Sequence, residues 1–264
     1  MPSSSPSRFA VFSDVHGNLP ALHTFFEDVE SRGFDRLYCC GDLVGYGAHP
    51  GECCDLVQMC NIPVVLGNHD QVSAGDGSLE HFNEVAGDAI LWTRRVLTPS
   101  HLSYLQSLPY TLVEGDLTFV HASPREPEKW NYVLTRGEAV ENFACFDTWI
   151  CFIGHSHQPF VVEQRQDDIT CPEPGVIELR RDRRYLVNVG SVGQPRDRNP
   201  QLCYVTVDLG GNRPGRREES VRRDEQPCGE LRFHRVSYPV FEAQRAILDA
   251  GLPVELADRL SLGW

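Results

Sequence analysis

Residues 8–16, Arg8-Phe9-Ala10-Val11-Phe12-Ser13-Asp14-Val15-His16, set the terms for the fold. The compact apolar run of Arg8 to Ser13 reads as a strand, and it ends on Asp14. Leu19, Leu22, Phe25, Phe26 and Val29 then recur at three- and four-residue spacing, the pattern of a helix with one buried face, and Gly33 sits where such a helix stops. Arg36 to Cys40 reads as a second strand, Gly51 to Met59 as a helix and Ile62 to Leu66 as a third strand. Strand, helix, strand, helix, strand predicts an α/β fold with a parallel sheet and right-handed crossovers.

Beyond this unit the pattern changes. Residues 82–107 read as helical, with Val85, Ala89, Trp92 and Val96 on one stripe and Pro99 marking a break before a second helix. Tyr110–Val113 and Leu117–Val120 flank Glu114-Gly115-Asp116 as a hairpin. Strands near Trp149–Ile153, Phe160–Glu163, Arg184–Val189 and Leu202–Val207 follow with few helices between them, which predicts a second, largely antiparallel sheet. A strand over Leu231–Tyr238 and helices near Val240–Ala250 and Val254–Leu260 close the chain. Residues 1–7 read as a loose tail, and residues 210–230, polar, charged and broken by Gly and Pro, as a mobile surface loop. The remainder forms a single domain.

The 264 residues carry 24 Lys and Arg against 37 Asp and Glu, a formal net charge of −13. That sign disfavours a sequence-independent grip on nucleic acid or an anionic membrane surface, and an anionic substrate needs a local positive centre. The ten cysteines include two adjacent pairs, Cys39-Cys40 and Cys53-Cys54, and match neither a secreted disulfide scaffold nor a zinc pattern; they read as reduced, mostly buried thiols. The N-terminus lacks a signal-peptide pattern and no apolar stretch approaches the roughly 20 residues of a membrane span, so a cytoplasmic location is expected.

Five strands end alike, in an apolar run followed by a metal-capable side chain. The first leads to Asp14-Val15-His16 and the second to Gly41-Asp42. Val64 to Gly67 leads to Asn68-His69-Asp70, Thr118 to Val120 leads to His121, and Ile150 to Gly154 leads to His155-Ser156-His157. Carboxyl ends of strands in open α/β sheets face one crevice, so these side chains can converge. Taken singly, Asp or Asn after a strand is an ordinary helix cap and a lone His an ordinary loop or core residue. His23, His49, His81, His101 and His234 are read that way. Together the five ends point to a shared metal site.

In this order the five blocks resemble the calcineurin-like metallophosphoesterase family, whose pattern is D-x-H, G-D, G-N-H-D/E, a lone H and G-H-x-H. The segment Asn188-Val189-Gly190-Ser191-Val192-Gly193-Gln194-Pro195-Arg196 is also similar to one found in many bacterial members. The resemblance implies a four-layer α/β/β/α architecture, a two-sheet β-sandwich flanked by helices. It implies that Asp14, His16 and His157 hold one divalent ion, that Asn68, His121 and His155 hold another, and that Asp42 bridges them. Oxygen and imidazole donors without thiolate suit manganese, iron, zinc or nickel and do not choose among them; manganese is the first expectation. The implied reaction is attack of a metal-bridging hydroxide on a phosphoester, with His69 as general acid protonating the leaving oxygen.

Within the family, the Ser/Thr phosphoprotein phosphatases carry G-D-x-V-D-R-G, whereas this chain has Gly41-Asp42-Leu43-Val44-Gly45-Tyr46-Gly47, lacking the second Asp and the Arg. The group that orients His69 is therefore left open. Short length and acidity also argue against the DNA-repair nuclease branch. The preferred substrate is a phosphodiester or nucleotide, as in bacterial phosphodiesterases and diadenosine tetraphosphate hydrolases, with phosphomonoesterase or Ser/Thr phosphoprotein phosphatase activity as the alternative. Tyr46, Arg125, Arg196 and Arg198 lie next to motif residues and are candidates for binding base, ribose or a second phosphate. Outside this class stand a non-catalytic metal-binding scaffold and a redox role for the cysteines.

Overall fold

A computed structural model describes residues 7–34, 36–166, 168–209 and 226–264. Strand β1 (Arg8–Phe12) lies between β2 (Leu37–Cys39), its parallel neighbour, and β10 (Leu202–Asp208), which runs antiparallel to it. Antiparallel β11 (Pro227–Val236) and β8 (Val176–Arg180) complete a five-stranded sheet in the order β2-β1-β10-β11-β8. The second sheet holds β3 (Thr111–Glu114), β4 (Leu117–Val120), β5 (Ile150–Ile153), β9 (Arg184–Asn188), β6 (Phe160–Arg165) and β7 (Asp168–Thr170), in that spatial order. Its centre, β4-β5-β9, is parallel and its margins are antiparallel.

Alternation along the strands builds three apolar layers. Phe9 and Val11 of β1 point between the sheets, with Phe119 of β4, Phe152 of β5 and Val205 of β10. Ala10 and Phe12 point the other way, onto α1 (Leu19–Ser31) and the other helices of that face: α2 (Pro50–Met59), α4 (Glu84–Val96), α5 (Pro99–Gln106), α7 (Val240–Asp249) and α8 (Val254–Leu262). Cys151 and Ile153 of β5 cover the opposite outer face, against Ala139 of α6 (Arg136–Asn142) and Phe143. Two mixed sheets flanked by helices are thus the observed form of the expected sandwich. Phe9, Phe119 and Phe152 pack ring to ring at 5.3–6.0 Å between the sheets, each burial stabilising by about 2–3 kcal/mol.

Pairing departs from the sequence reading. Only the β1–β2 pair of the first sheet is parallel, because β10 returns late in the chain and takes the other side of β1. The second sheet is mixed and does not contain β10. Residues Ile62–Leu66 form a single bridge, Val64 to Cys39, since Pro63 in that run has no N–H to give a ladder. A six-residue helix, α3 (Asn68–Ser73), follows it and is too short to show periodicity in sequence.

Of the segment read as a mobile loop, residues 210–225 lie outside the described residues, while Pro227–Glu230 belong to β11, where Gly229 and Glu230 face Leu179 and Glu178. Of the tail, residues 1–6 lie outside the described residues, and the Ser7 carbonyl accepts from the Leu209 N–H at 2.6 Å. No disulfide is found among the described residues. Cys39, Cys40, Cys53, Cys54, Cys151 and Cys203 are buried, and burial pushes each of these thiols up, away from reactivity. No helix is long and apolar enough to cross a membrane among the described residues.

Candidate metal centre

The ends of β1 and β2 in one sheet and of β4 and β5 in the other deliver Asp14, His16, Asp42, His121, His155 and His157 to one buried spot, with Asn68 added by the first turn of α3. None of the seven is more than 8% exposed. Five of them leave their strands in the left-handed region: Asp14 at φ 54°, His16 at 50°, Asp42 at 55°, His155 at 64° and His157 at 57°. Such backbone costs about 1–3 kcal/mol at a non-Gly residue and persists only where its surroundings hold it. Here the Asp14 and His16 N–H groups donate to the Gly41 and Asp42 carbonyls at 3.0 Å, and the His155 N–H donates to Asp14 Oδ2 at 3.0 Å. The glycines before the polar residues follow from this crowding. A Cβ on Gly67 would lie 2.0 Å from Asp42 Oδ1, and one on Gly154 2.1 Å from Ser13 Oγ.

The donor atoms form two groups. His157 Nε2 is 3.3 Å from Asp14 Oδ1 and 3.1 Å from His16 Nε2. His121 Nε2 is 3.0 Å from Asn68 Oδ1 and 3.2 Å from His155 Nδ1. Asp42 Oδ2 joins them, 3.3 Å from His121 Nε2 and 3.6 Å from His16 Nε2. His16 Nδ1 donates to the Val44 carbonyl at 3.0 Å and His157 Nδ1 donates to the Gln194 carbonyl. In the neutral rings each Nε2 therefore carries a bare lone pair, and two lone pairs face one another at 3.1 Å. His121 Nδ1 likewise donates to the Cys40 carbonyl at 2.7 Å, leaving Nε2 to face oxygen and nitrogen acceptors. Acceptors gathered without donors repel, and cations between them resolve the conflict. The residues present fit divalent ions.

Electrostatics agree. Burial lowers His16 and His157 well below the usual imidazole range and His155 to about 3, so all three stay neutral, as ligands must be. Burial raises Asp14 to about 7, and although the His121 charge opposes that rise, Asp42 adds to it. Burial alone would lower His121; the Asp42 carboxylate outweighs it and pushes the ring up to about 9. The proton so attracted and a cation would compete for one lone pair, the Nε2 that faces Asp42.

His69 lies between these groups, with a ring nitrogen within 4.8 Å of donor atoms of His16 and Asp42, so it too stands at metal-holding distance. Its N–H donates to Asp42 Oδ1 at 2.9 Å, and its ring is wedged between Tyr46 at 4.4 Å and Phe82 at 5.0 Å, edge-on to His16 at 4.8 Å. Its Nδ1 is buried with no hydrogen-bond partner, so the ring contacts with Tyr46, Phe82 and His16 are what hold it. Gly45 makes this fit: its φ is 93°, and a Cβ there would lie 2.5 Å from His69 Nδ1. Asp70, given no role from sequence, is fully buried and ties the turns together, accepting from the Val44 N–H at 3.1 Å and the Gly67 N–H at 3.2 Å.

A cavity of about 740 Å³ opens over the centre, lined in part by Asn68, His69, Phe82, Trp130, Tyr132 and His155. Of the four residues singled out for substrate, Tyr46 and Arg196 line it. Arg125 does not; it is exposed and pairs with Glu141. Arg198 does not either, lying 5.1 Å over the Trp264 ring. Neither stands where sequence adjacency placed it, because both loops turn those side chains outward. The wall residues Trp130 and Tyr132 escaped the sequence reading. Tyr132 stacks on His155 at 4.0 Å, and Trp130 Nε1 donates to Gln71 Oε1 at 3.2 Å. His81, read as structural, also reaches the rim. An aromatic pair just after a Pro-Arg-Glu-Pro loop was the available signal.

A sequence profile of the calcineurin-like phosphoesterase superfamily domain matches residues 8–212. An uncharacterized protein of Methanocaldococcus jannaschii is 37% identical over 261 residues, 97% of this chain and 98% of its own. A crystal structure of a metallophosphoesterase from Sphaerobacter thermophilus is 38% identical, covers 98% of this chain and 100% of its own, and superposes with a TM-score of 0.78. A hypothetical protein from Pyrococcus horikoshii, 18% identical over 97% of this chain and 98% of its own, shares the fold with a TM-score of 0.73. Profile, relative and fold agree with the five strand-end blocks: the chain belongs to the calcineurin-like phosphoesterase superfamily.

Proposed function

We propose that the protein hydrolyses a phosphodiester or nucleotide-type phosphoester with two divalent ions, manganese before iron, zinc or nickel. Asp14, His16 and His157 hold one ion, Asn68, His121 and His155 the other, and Asp42 both. The observation that carries the reading is Asp42 Oδ2, within 3.3 Å of one donor group and 3.6 Å of the other. Ions held there supply Lewis acidity toward a phosphoryl oxygen, an activated water and the positive centre an acidic chain otherwise lacks.

The chain's own groups do the rest. Burial holds His69 at about 4, so the resting ring is neutral; an anionic phosphate beside it favours the charged form, and the ring takes up a proton from solvent and hands it to the leaving oxygen. Tyr132, Trp130 and Phe82 exclude water on one side of the ester and offer ring faces to a base or aryl group. A cavity of about 740 Å³ exceeds what a small monoester fills, which favours the larger ester.

Full-length protein loaded separately with manganese, iron, zinc and nickel, then offered an aryl monoester, a bis(aryl) phosphate and dinucleoside polyphosphates, tests the class. Cleavage of the monoester alone overturns the diester reading. His69→Ala is expected to lower turnover by about 10² to 10⁴ with metal content intact; near-normal turnover at full loading removes His69 from the proton transfer. A loaded protein that cleaves none of these esters leaves the metal-binding scaffold.

A further inference from the structure

Gln194 does two things at once. Its main-chain carbonyl accepts from Nδ1 of His157, and its side-chain Oε1 accepts from two guanidinium groups, Arg196 through Nη2 at 2.8 Å and Arg259 through Nη1 at 3.3 Å. Both cations also lie over one ring, Tyr46, at 5.5 and 5.8 Å from its centroid. Gln194 is 2% exposed and Tyr46 8% exposed, so the pair rests on two buried groups, one bonded to His157 and the other packed on His16 at 4.6 Å. Neither guanidinium has a carboxylate within ion-pair distance among the described residues, although the chain carries an acidic surplus of 13. Arginine cannot relieve such crowding by losing its proton.

Arg259 comes from far away in sequence. It stands on α8, which is anchored by buried Leu256, Ala257 and Leu260 and tied to α7 by Gln244 Nε2 donating to the Ala257 carbonyl at 2.9 Å. The Arg198 N–H donates to the Gly263 carbonyl at 2.8 Å, which docks the end of α8 onto the loop that carries Arg196. The superfamily profile ends at residue 212, so Arg259 lies outside the matched region.

We propose that Arg196 and Arg259 form an anion subsite that takes a second phosphoryl group of the substrate, next to the one being hydrolysed. The substrate class is then a diphosphate or polyphosphate ester. Two fixed positive charges presenting forked N–H donors match a phosphate dianion in charge and in geometry. A single carboxylate balances only one of them. Arg196 lines the cavity with Asn68, His69 and His155, so a second phosphoryl group beside the first meets Arg196, and Arg259 adds its charge from the other side of Gln194 Oε1. Gln194 keeps the pair assembled before the substrate arrives. This inference rests on the phosphoesterase reading for the position of the first phosphate.

The test compares full-length, metal-loaded wild type with Arg259→Met by calorimetric titration of methylenediphosphonate, phosphonoacetate and methylphosphonate. Wild type is expected to prefer the diphosphonate over methylphosphonate by about tenfold or more, and Arg259→Met to shrink that preference to about threefold or less, about 0.7 kcal/mol or more of coupling. In turnover, KM for a nucleoside diphosphate ester is expected to rise more than KM for an aryl monoester. Arg259→Lys, which keeps the charge and loses the fork, is expected to fall between and carries the comparison should Arg259→Met fold poorly. A preference unchanged in both variants, or a uniform loss for all three ligands, overturns the subsite; phosphonoacetate binding as tightly as diphosphonate overturns its phosphoryl specificity. Absence of hydrolysis with the binding difference intact counts against the phosphoesterase reading alone.

Discussion

The floor and the rim of the cavity are built on opposite terms. On the floor, seven buried polar side chains stand on strand ends and a helix start, with backbone in the left-handed region at five of them and glycines where a Cβ would collide. On the rim, Tyr132 is 48% exposed and Lys129 and Trp130 close a single 3-10 turn, while the Arg196 and Arg259 pair joins a loop to a distant helix. A buried polar group without a partner is costly, so the floor tolerates few arrangements. The rim faces water and can vary. On the proposed function, the floor carries the chemistry and the rim selects the ester.

Removing the shared ligand strains that contrast most. Asp42→Ala is expected to strip both ions, seen by elemental analysis, and to lower turnover by about 10³ or more; retention of the full metal complement would break the assignment of Asp42 as the bridge. Next comes Gly45→Ala, on the boundary between floor and rim. The added methyl group collides with His69 Nδ1 in a backbone conformation that disfavours any side chain, and Tyr46 and Phe82 leave the ring little room. Turnover is expected to fall by about 10- to 100-fold with metal content preserved, and urea unfolding to show a loss of about 1–3 kcal/mol. Unchanged turnover would show that wedging does not place His69. The smallest effect belongs to the rim: Tyr132→Ala is expected to raise KM for a base-containing ester by about three- to tenfold and to leave kcat nearly unaltered. A collapse of kcat would instead make Tyr132 a support of His155 and erase the distinction between the two regions.

Much of the floor was legible because each of its residues sits beside a local signal. An apolar run gives a strand, the side chain after it is polar, and five repeats of that pattern are improbable by packing alone. The first helix and the paired helices of residues 82–107 were legible for the same reason, through periodicity over a long window. Strand pairing was not. Leu202–Asp208 reads equally well as an edge or a central strand, and only the fold puts it beside β1, antiparallel. The short α3 and the bridge at Val64 were hidden by brevity and by Pro63. Arg125 and Arg198 illustrate the converse, since adjacency in sequence to a ligand says nothing about which way a loop side chain turns.

From residue order alone came the polar side chains at strand ends, the superfamily and the alternation that makes two faces of every strand, because these depend on neighbours within a few positions. Only the tertiary structure decided that Tyr46 and Phe82 pack around the His69 ring, that Trp130 and Tyr132 wall the cavity, and that Arg259 meets Arg196 over Gln194. The reason is physical. Those contacts join segments tens to hundreds of residues apart, and their geometry follows from how sheets and helices pack, which no local pattern encodes.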